Sequence, residues 1–171
     1  MPLPIFNANG LLPSGIHDCS LAEAEKRFVL NPHRAEMWQR LLKFVDWTRS
    51  LDTFDILYLD GGYISDKPRP EDIDVILQTR AKYGTEALES MTPFFLKGLD
   101  TIFSEYGVHL HFWSEGFPGG IHDFRLFFQY VRPQDAAPRG LAPGATKGIL
   151  RVQFNGRTVP LPQRELAEAS S

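Results

Sequence analysis

Residues 54–79 constrain the fold more than any other part of the chain. The segment "FDILYLD" (54–60) is dominated by apolar and aromatic residues and predicts a strand. It runs directly into Gly61-Gly62 and a short loop of charged residues and prolines. The segment "DIDVILQT" (72–79) alternates polar and apolar residues before an apolar end, which predicts a second strand with two unlike faces. The chain is therefore expected to build a sheet with a glycine loop between two of its strands.

Two aspartates occupy one face of the second predicted strand. Asp72 and Asp74 are two residues apart, so their carboxylates project from the same side. Two anions this close repel each other, and a hard divalent cation with oxygen ligands, Mg²⁺ first and Mn²⁺ second, would relieve the repulsion. Gly61 and Gly62 lack Cβ atoms, so their N–H groups can approach a phosphate. A phosphate cradle beside a metal site is what phosphoryl or nucleotidyl transfer requires, whereas an exposed strand with two solvated acids is the alternative interpretation.

The rest of the chain alternates helical and strand patterns. Ser20 and Glu23 have the spacing of a capping box and predict a helix that stops at Asn31-Pro32. Three further helices are predicted over 34–51, over 84–107 with an interruption at Pro93, and over 120–131. Two further strands are predicted over 108–115 and 147–154, and a mobile loop precedes the last one. These elements predict a chain that combines helices with strands.

Composition places this fold in one soluble domain. The chain has 171 residues, of which 43% are hydrophobic and 23% are charged, and this size suits a single domain over 1–171. Residues 1–19 form an extended N-terminal arm, in which His17 and Asp18 are expected in a turn. The net charge of -3 argues against binding nucleic acid by bulk electrostatics. One cysteine and no long apolar segment predict a cytoplasmic protein that does not enter a membrane.

The glycine and aspartate motifs together resemble a known signature. Gly61-Gly62, nine intervening residues and then Asp72-Ile73-Asp74-Val75 are similar to the signature of the polymerase-β-type nucleotidyltransferase superfamily. The segments "NGLLPSGIHD", "LDGGYISDKPRPEDIDVIL" and "KGILRVQF" extend the resemblance to a small uncharacterised bacterial group of that superfamily. The resemblance implies a nucleotidyltransferase-like α/β fold, with a short mixed β-sheet flanked by helices, and a bound nucleoside triphosphate.

Residue roles follow from the resemblance position by position. It implies that Gly61 and Gly62 contact the triphosphate and that Asp72 and Asp74 hold the metal ions that bridge it. Lys67 and Arg69, in the loop between them, would neutralise phosphate charge. The implied reaction transfers a nucleoside monophosphate to a protein, a nucleotide or an RNA end. By analogy with small members of the superfamily, a toxin–antitoxin or phage-defence setting is implied.

The resemblance fails at one position. The superfamily has a third acid on a neighbouring strand, but the matching strand here, "VHLHFW", has no acid and places His109 at the third position. Four interpretations stay open, and the simplest is that both histidines are half-buried and hydrogen-bonded within the fold. His109 serves as a general base, or His109 and His111 bind a softer metal such as Zn²⁺ in a structural or hydrolytic site. Alternatively, the protein is a catalytically inactive module that binds a nucleotide or a partner.

Residues after this strand add two secondary hypotheses. His122 and Asp123, at the start of the next predicted helix, lie where they could assist either metal site. The aromatic residues of 117–130 are expected in the core, with base stacking as the alternative. Arg125 and Arg132 are the nearby cations that could reach a phosphate.

Overall fold

The structure is a computed structural model that describes residues 2–117 and 123–154. These residues form a five-stranded sheet in the order β1-β5-β2-β3-β4. The β1–β5 and β3–β4 pairs are parallel, and the β5–β2 and β2–β3 pairs are antiparallel. The strands are β1 (Gly15–Cys19), β2 (Phe54–Asp60), β3 (Ile73–Thr79), β4 (Val108–Trp113) and β5 (Gly148–Gln153). The α/β fold with a mixed sheet is confirmed.

Six α-helices occur in the described ranges. They are α1 (Leu21–Phe28), α2 (Pro32–Leu51), α3 (Thr85–Lys97), α4 (Leu99–Tyr106), α5 (Phe124–Phe127) and α6 (Pro133–Ala136). Short 3₁₀ turns also occur at Gly62–Ile64, after β2, and at Ala137–Arg139, after α6. Within the same ranges, none of the helices combines the length and the apolar character needed to cross a membrane.

The predicted capping box begins α1. The Ser20 hydroxyl accepts a hydrogen bond from the Glu23 N–H at 3.1 Å, and the Glu23 carboxylate accepts one from the Ser20 N–H at 2.7 Å. Asn31 and Pro32 end this helical region and also begin the next helix. The Asn31 side chain caps α2, and Pro32 occupies its first turn, where its missing N–H needs no partner. Helix α2 therefore starts two residues before the predicted Arg34.

The predicted interruption at Pro93 is wrong. Pro93 lies inside α3, which continues to Lys97, and the break between α3 and α4 occurs at Gly98. Gly98 has φ +93°, a conformation that side-chain-bearing residues avoid. The helix tolerates the one hydrogen bond lost at proline, whereas the left-handed backbone at Gly98 ends it.

Several loop and arm predictions also need correction. His17 and Asp18 belong to β1 rather than to a turn, and β1 pairs in parallel with β5. The Asp18 carboxylate accepts a hydrogen bond from Nε of the buried Arg151 at 2.7 Å. The loop predicted before the last strand contains α6, and the helix predicted over 120–131 is reduced to the four residues of α5 in its described part. The strands predicted over 108–115 and 147–154 are each slightly shorter than expected.

The sheet separates two apolar clusters. Helices α1 to α4 cover one face, where the larger cluster includes Phe28, Trp38, Phe44 and Phe94. On the opposite face a smaller cluster is formed by Ile16, Ile56, Tyr58, Ile76, Trp113 and Ile149. Phe124 of α5 and Phe128, which follows α5, pack against it. Alternation along β3 and β4 puts Asp74 and His109 on the same side as this smaller cluster. The face opposite the long helices therefore carries the polar residues singled out in the sequence.

Candidate functional site

The candidate site lies where three neighbouring strands meet at one end of the sheet. Asp74, the second residue of β3, is directly opposite Asp60, the last residue of β2. On its other side, Asp74 is directly opposite His109 of β4. Asp72 immediately precedes β3. The predicted position of His109, beside the aspartate pair on a neighbouring strand, agrees with the observed register.

The side chains of Asp72, Asp74 and His109 converge. His109 Nδ1 lies 3.2 Å from Asp72 Oδ2 and 3.6 Å from Asp74 Oδ1. One ligand atom from each residue lies within 4.8 Å of the other two, an arrangement compatible with a metal ion. The His109 ring stacks on Phe103 of α4, with ring centroids 4.4 Å apart and planes at 15°. This stacking holds the imidazole against the edge of the carboxylate pair.

The local electrostatics favour a bound cation. Burial, followed by repulsion from Asp60 and Asp72, raises the pKa of Asp74 to about 6, while His109 and Lys147 oppose the rise. In this environment the loss of a proton from a carboxylic acid is costly in free energy unless a positive charge lies nearby. A divalent cation between Asp72 and Asp74 would supply that charge.

Asp60 and Lys147 are site residues that the sequence analysis missed. Asp60 is 1% exposed, and neither of its carboxylate oxygens has a hydrogen-bond partner. The ammonium nitrogen of Lys147 lies 3.1 Å from Asp60 Oδ1, which is ion-pair distance but not hydrogen-bond geometry. Burial raises the pKa of Asp60, and Lys147 opposes that rise. An acid at the end of a largely apolar strand, immediately before a double glycine, was the sequence signal available for Asp60.

The double glycine has two different structural roles. Gly61 has φ +83°, and a Cβ atom there would lie 2.4 Å from Asp74 Oδ2. Gly61 is therefore required both by its backbone conformation and by the close approach of the Asp74 carboxylate. A Cβ atom on Gly62 would lie 3.2 Å from Cδ of the flexible Lys67 side chain, which can move. Gly62 thus leaves little room for a side chain unless Lys67 moves.

A buried arginine fixes the path of the loop after the glycines. Arg34 of α2 is 1% exposed. Its guanidinium carbon lies over the Tyr63 ring, 4.8 Å from the ring centre. Its guanidinium nitrogens donate hydrogen bonds to carbonyl oxygens of Phe28, Gly62, Tyr63, Ser65 and Lys67. Burial lowers the pKa of Arg34. Sequence periodicity placed this residue only at the start of a helix and gave no sign of its contacts with the loop.

A cavity of about 550 Å³ opens over these residues. It is lined by the two glycines, both aspartates and His109, together with Asp60 and Lys147. Three further cations line it, namely Lys67, Arg132 and Arg139. Arg69, the other loop cation of the resemblance, is exposed and does not line this cavity.

The aromatic residues after β4 divide between core and cavity. Phe124 and Phe128 pack against the smaller apolar cluster, in agreement with the expected core role. Phe127 and Tyr130 are 53% and 58% exposed and line the cavity, so the expectation of core packing is wrong for these two. The short α5 cannot bury both of its sides against one sheet, which leaves its other aromatic rings at the surface.

His111 is placed differently from His109. Its ring centroid lies 4.4 Å from that of Phe124 and 5.1 Å from that of Phe128. Burial, followed by the neighbouring His109, lowers the pKa of His111. Within residues 2–117 and 123–154, the converging group of metal-binding side chains contains His109 and not His111. The geometry therefore favours a carboxylate–imidazole site over a site built on the histidine pair.

Asp123 does not extend the candidate site, and His122 lies outside the described residues. The Asp123 carboxylate caps α5 and pairs with the Arg125 guanidinium at 2.8 Å. Arg125 in turn lies over the Trp113 ring, with its guanidinium carbon 3.4 Å from the ring centre. Asp123 and Arg125 thus connect α5 to β4 rather than reaching the aspartate pair.

Comparison with known proteins identifies the family. A family model described as a family of unknown function, DUF6932, matches residues 4–153. The chain belongs to the DUF6932 family. No curated protein and no solved structure gives a significant match to it. The DUF6932 match spans all the strands and helices described above and every residue that lines the cavity. The family description includes no activity, so the function of this DUF6932 chain has to be argued from the site itself.

Proposed function

We propose that the protein binds a nucleoside triphosphate and a divalent cation and acts as a metal-dependent nucleotidyltransferase. The observation that carries the proposal is the convergence of Asp72, Asp74 and His109 beside Gly61 and Gly62, in one cavity. Its volume of about 550 Å³ lies within the ordinary range for small-molecule sites. The acceptor would be a protein, a nucleotide or an RNA end, in a toxin–antitoxin or phage-defence setting.

The residues present fit a divalent cation. The three candidate ligand atoms lie within 4.8 Å of one another, and the raised pKa of Asp74 comes first from burial and then from the neighbouring carboxylates of Asp60 and Asp72. His109 points Nδ1 toward both carboxylates, so this nitrogen could share a metal ion with them. Bound there, Mg²⁺ or Mn²⁺ would neutralise phosphate oxygens and orient the triphosphate.

Other cavity residues fit the remaining parts of a nucleotide. Lys67, Arg132 and Arg139 supply positive charge on the wall of the cavity, where phosphate oxygens would lie. The exposed rings of Phe127 and Tyr130 present flat apolar surfaces against which a base can stack. Gly62 lies beside the Lys67 side chain, so its backbone and the Lys67 ammonium could contact the same phosphate. Positively charged side chains, the two glycines and aromatic rings therefore line the same cavity as the acid pair.

The proposal is tested by nucleotide-dependent stabilisation of the pure protein. Each nucleoside triphosphate is added with Mg²⁺ or Mn²⁺, and the melting temperature is measured together with pyrophosphate release. We expect at least one triphosphate to stabilise the parent, because a ligand that binds only the folded state raises its stability. The variant Asp72→Asn with Asp74→Asn should fold and lose this stabilisation. A matched control, Asp46→Asn with Asp100→Asn, removes the same charge from exposed helix positions outside the cavity.

The outcomes separate the competing functions. Stabilisation with pyrophosphate release supports a nucleotidyltransferase, and stabilisation without release supports an inactive nucleotide-binding module. An equal shift in the parent and in the double aspartate variant would contradict the assignment of the site. The absence of any shift with every triphosphate would contradict nucleotide binding altogether.

A further inference from the structure

A buried acid–lysine pair lies beside the three candidate metal ligands. Asp60 at the end of β2 is opposite Asp74, and Lys147 immediately precedes β5. The Lys147 ammonium lies 3.1 Å from Asp60 Oδ1, with side-chain exposures of 15% and 1%. Both residues line the cavity that contains Asp72 and Asp74. Lys147 also lowers the raised pKa of Asp74, so its charge acts on the metal-binding carboxylates.

The Asp60–Lys147 pair changes the net charge of the site, and with it the number of divalent cations that the site can bind. Asp60, Asp72 and Asp74 contribute three carboxylates, and Lys147 contributes one ammonium group at ion-pair distance. These three carboxylates and one ammonium group leave a formal charge of minus two, which matches one divalent cation. A second divalent cation would leave a buried excess of positive charge, and its natural carboxylate ligand, Asp60, already holds an ammonium.

We propose that the Lys147 ammonium takes the place of a second metal ion, so that the site binds a single divalent cation through Asp72, Asp74 and His109. Asp60 then anchors Lys147 and does not coordinate metal. This inference rests on the metal site of the proposed function. Because one of the three ligands is an imidazole, Mn²⁺ suits the site better than Mg²⁺, which prefers oxygen ligands throughout.

The inference is tested by Mn²⁺ titration of the full chain without nucleotide. Calorimetry gives the affinity, and the spin-resonance signal of free Mn²⁺ gives the stoichiometry. We expect one Mn²⁺ per chain. Lys147→Met removes a positive charge next to the site and should tighten Mn²⁺ binding by roughly tenfold or more, or add a second Mn²⁺ held by Asp60. Lys43→Met removes a lysine charge from an exposed position outside the cavity and should leave the affinity unchanged.

A charge-matched double variant decides the role of Asp60. Asp60→Asn combined with Lys147→Met restores the formal charge of the parent site while removing both members of the pair. Its Mn²⁺ affinity and stoichiometry should return to those of the parent, because neither residue is a ligand. This variant also carries the test if Lys147→Met alone fails to fold around its unpaired carboxylate. Circular dichroism confirms that each variant is folded.

Each contrary result has a distinct meaning. Two Mn²⁺ ions bound by the parent, or an unchanged affinity in folded Lys147→Met, would overturn the single-cation inference. Loss of Mn²⁺ binding in the folded double variant would make Asp60 a ligand and would also overturn it. Failure of the parent and of Lys147→Met to bind any Mn²⁺ would instead remove the metal site on which the proposed function depends.

Discussion

Replacing Asp74 with asparagine should stabilise the metal-free protein, although it removes a proposed metal ligand. The pKa of Asp74 is raised from 3.8 to about 6 in the folded protein, chiefly by burial. A rise of about two pKa units corresponds to about 3 kcal/mol of unfavourable free energy once the carboxylate is ionised. Asparagine carries no charge at any pH and should relieve this cost.

The sign of the pH dependence follows from the direction of the shift. Because the folded-state pKa lies above the unfolded-state value, the folded protein binds the proton more tightly. Asp74 therefore costs nothing at pH values well below 3.8, and the cost grows as the pH rises through about 6. Linkage gives a cost of about 1.5 kcal/mol at pH 5 and about 3 kcal/mol at pH 7.5.

Urea denaturation in EDTA at pH 5 and pH 7.5 measures this effect. The advantage of Asp74→Asn over the parent should be about 1.5 kcal/mol larger at pH 7.5 than at pH 5. The difference between the two pH values matters, because any packing effect of asparagine is the same at both. Glu89→Gln, at an exposed position of α3, should show no such difference. Parallel pH profiles for the parent and Asp74→Asn would refute the electrostatic reasoning, and saturating Mn²⁺ should reverse the order of stability.

Two further predictions concern residues that hold the site in its conformation. Arg34→Met removes the guanidinium donor from five carbonyl groups, of which those of Phe28 and Gly62 keep a second donor, and should lower the free energy of unfolding by about 3–5 kcal/mol. Arg40→Met, at a half-buried site, should cost about 1 kcal/mol, and similar losses for the two variants in urea denaturation would contradict the loop-anchoring role. Gly61→Ala forces a Cβ atom against Asp74 and should weaken Mn²⁺ binding in the titration. Gly140→Ala, also at positive φ but with open space around it, should lose only about 1 kcal/mol and bind Mn²⁺ normally, and equal affinities in the two variants would count against the steric argument.

Local patterns in the sequence were sufficient for four of the five strands and for the aspartate–histidine cluster. Strands β2 and β3 have a strong apolar or alternating pattern, and the glycines fix the position of the loop between them. Alternation along β4 placed His109 on the face opposite the core, and pairing with β3 then brought it beside Asp74. The site geometry was predictable where side-chain alternation and strand pairing were enough to determine it.

Features that depend on distant contacts were not predictable. Lys147 meets Asp60 only because β5 inserts beside β2, and no local pattern in either segment indicates this ion pair. The contacts of Arg34 were not predictable either. Its partners include the backbone carbonyl groups of Tyr63 and Lys67, which are distant in sequence from its helix. The strand character of residues 15–19 likewise depends on pairing with β5. Local composition there favours a turn, and tertiary pairing overrides it.

The position of β5 has a consequence for the order in which the chain folds during synthesis. The last strand of the sheet lies between the first strand and β2, so β1 has no partner until β5 has been made. Until then, the antiparallel unit of β2 and β3, extended by β4, has an open edge at β2 that can pair with another nascent chain. At a synthesis rate of about 5–20 residues per second, this interval lasts for several seconds. Because Lys147 enters the fold together with β5, Asp60 also acquires its ammonium partner only when the sheet is complete.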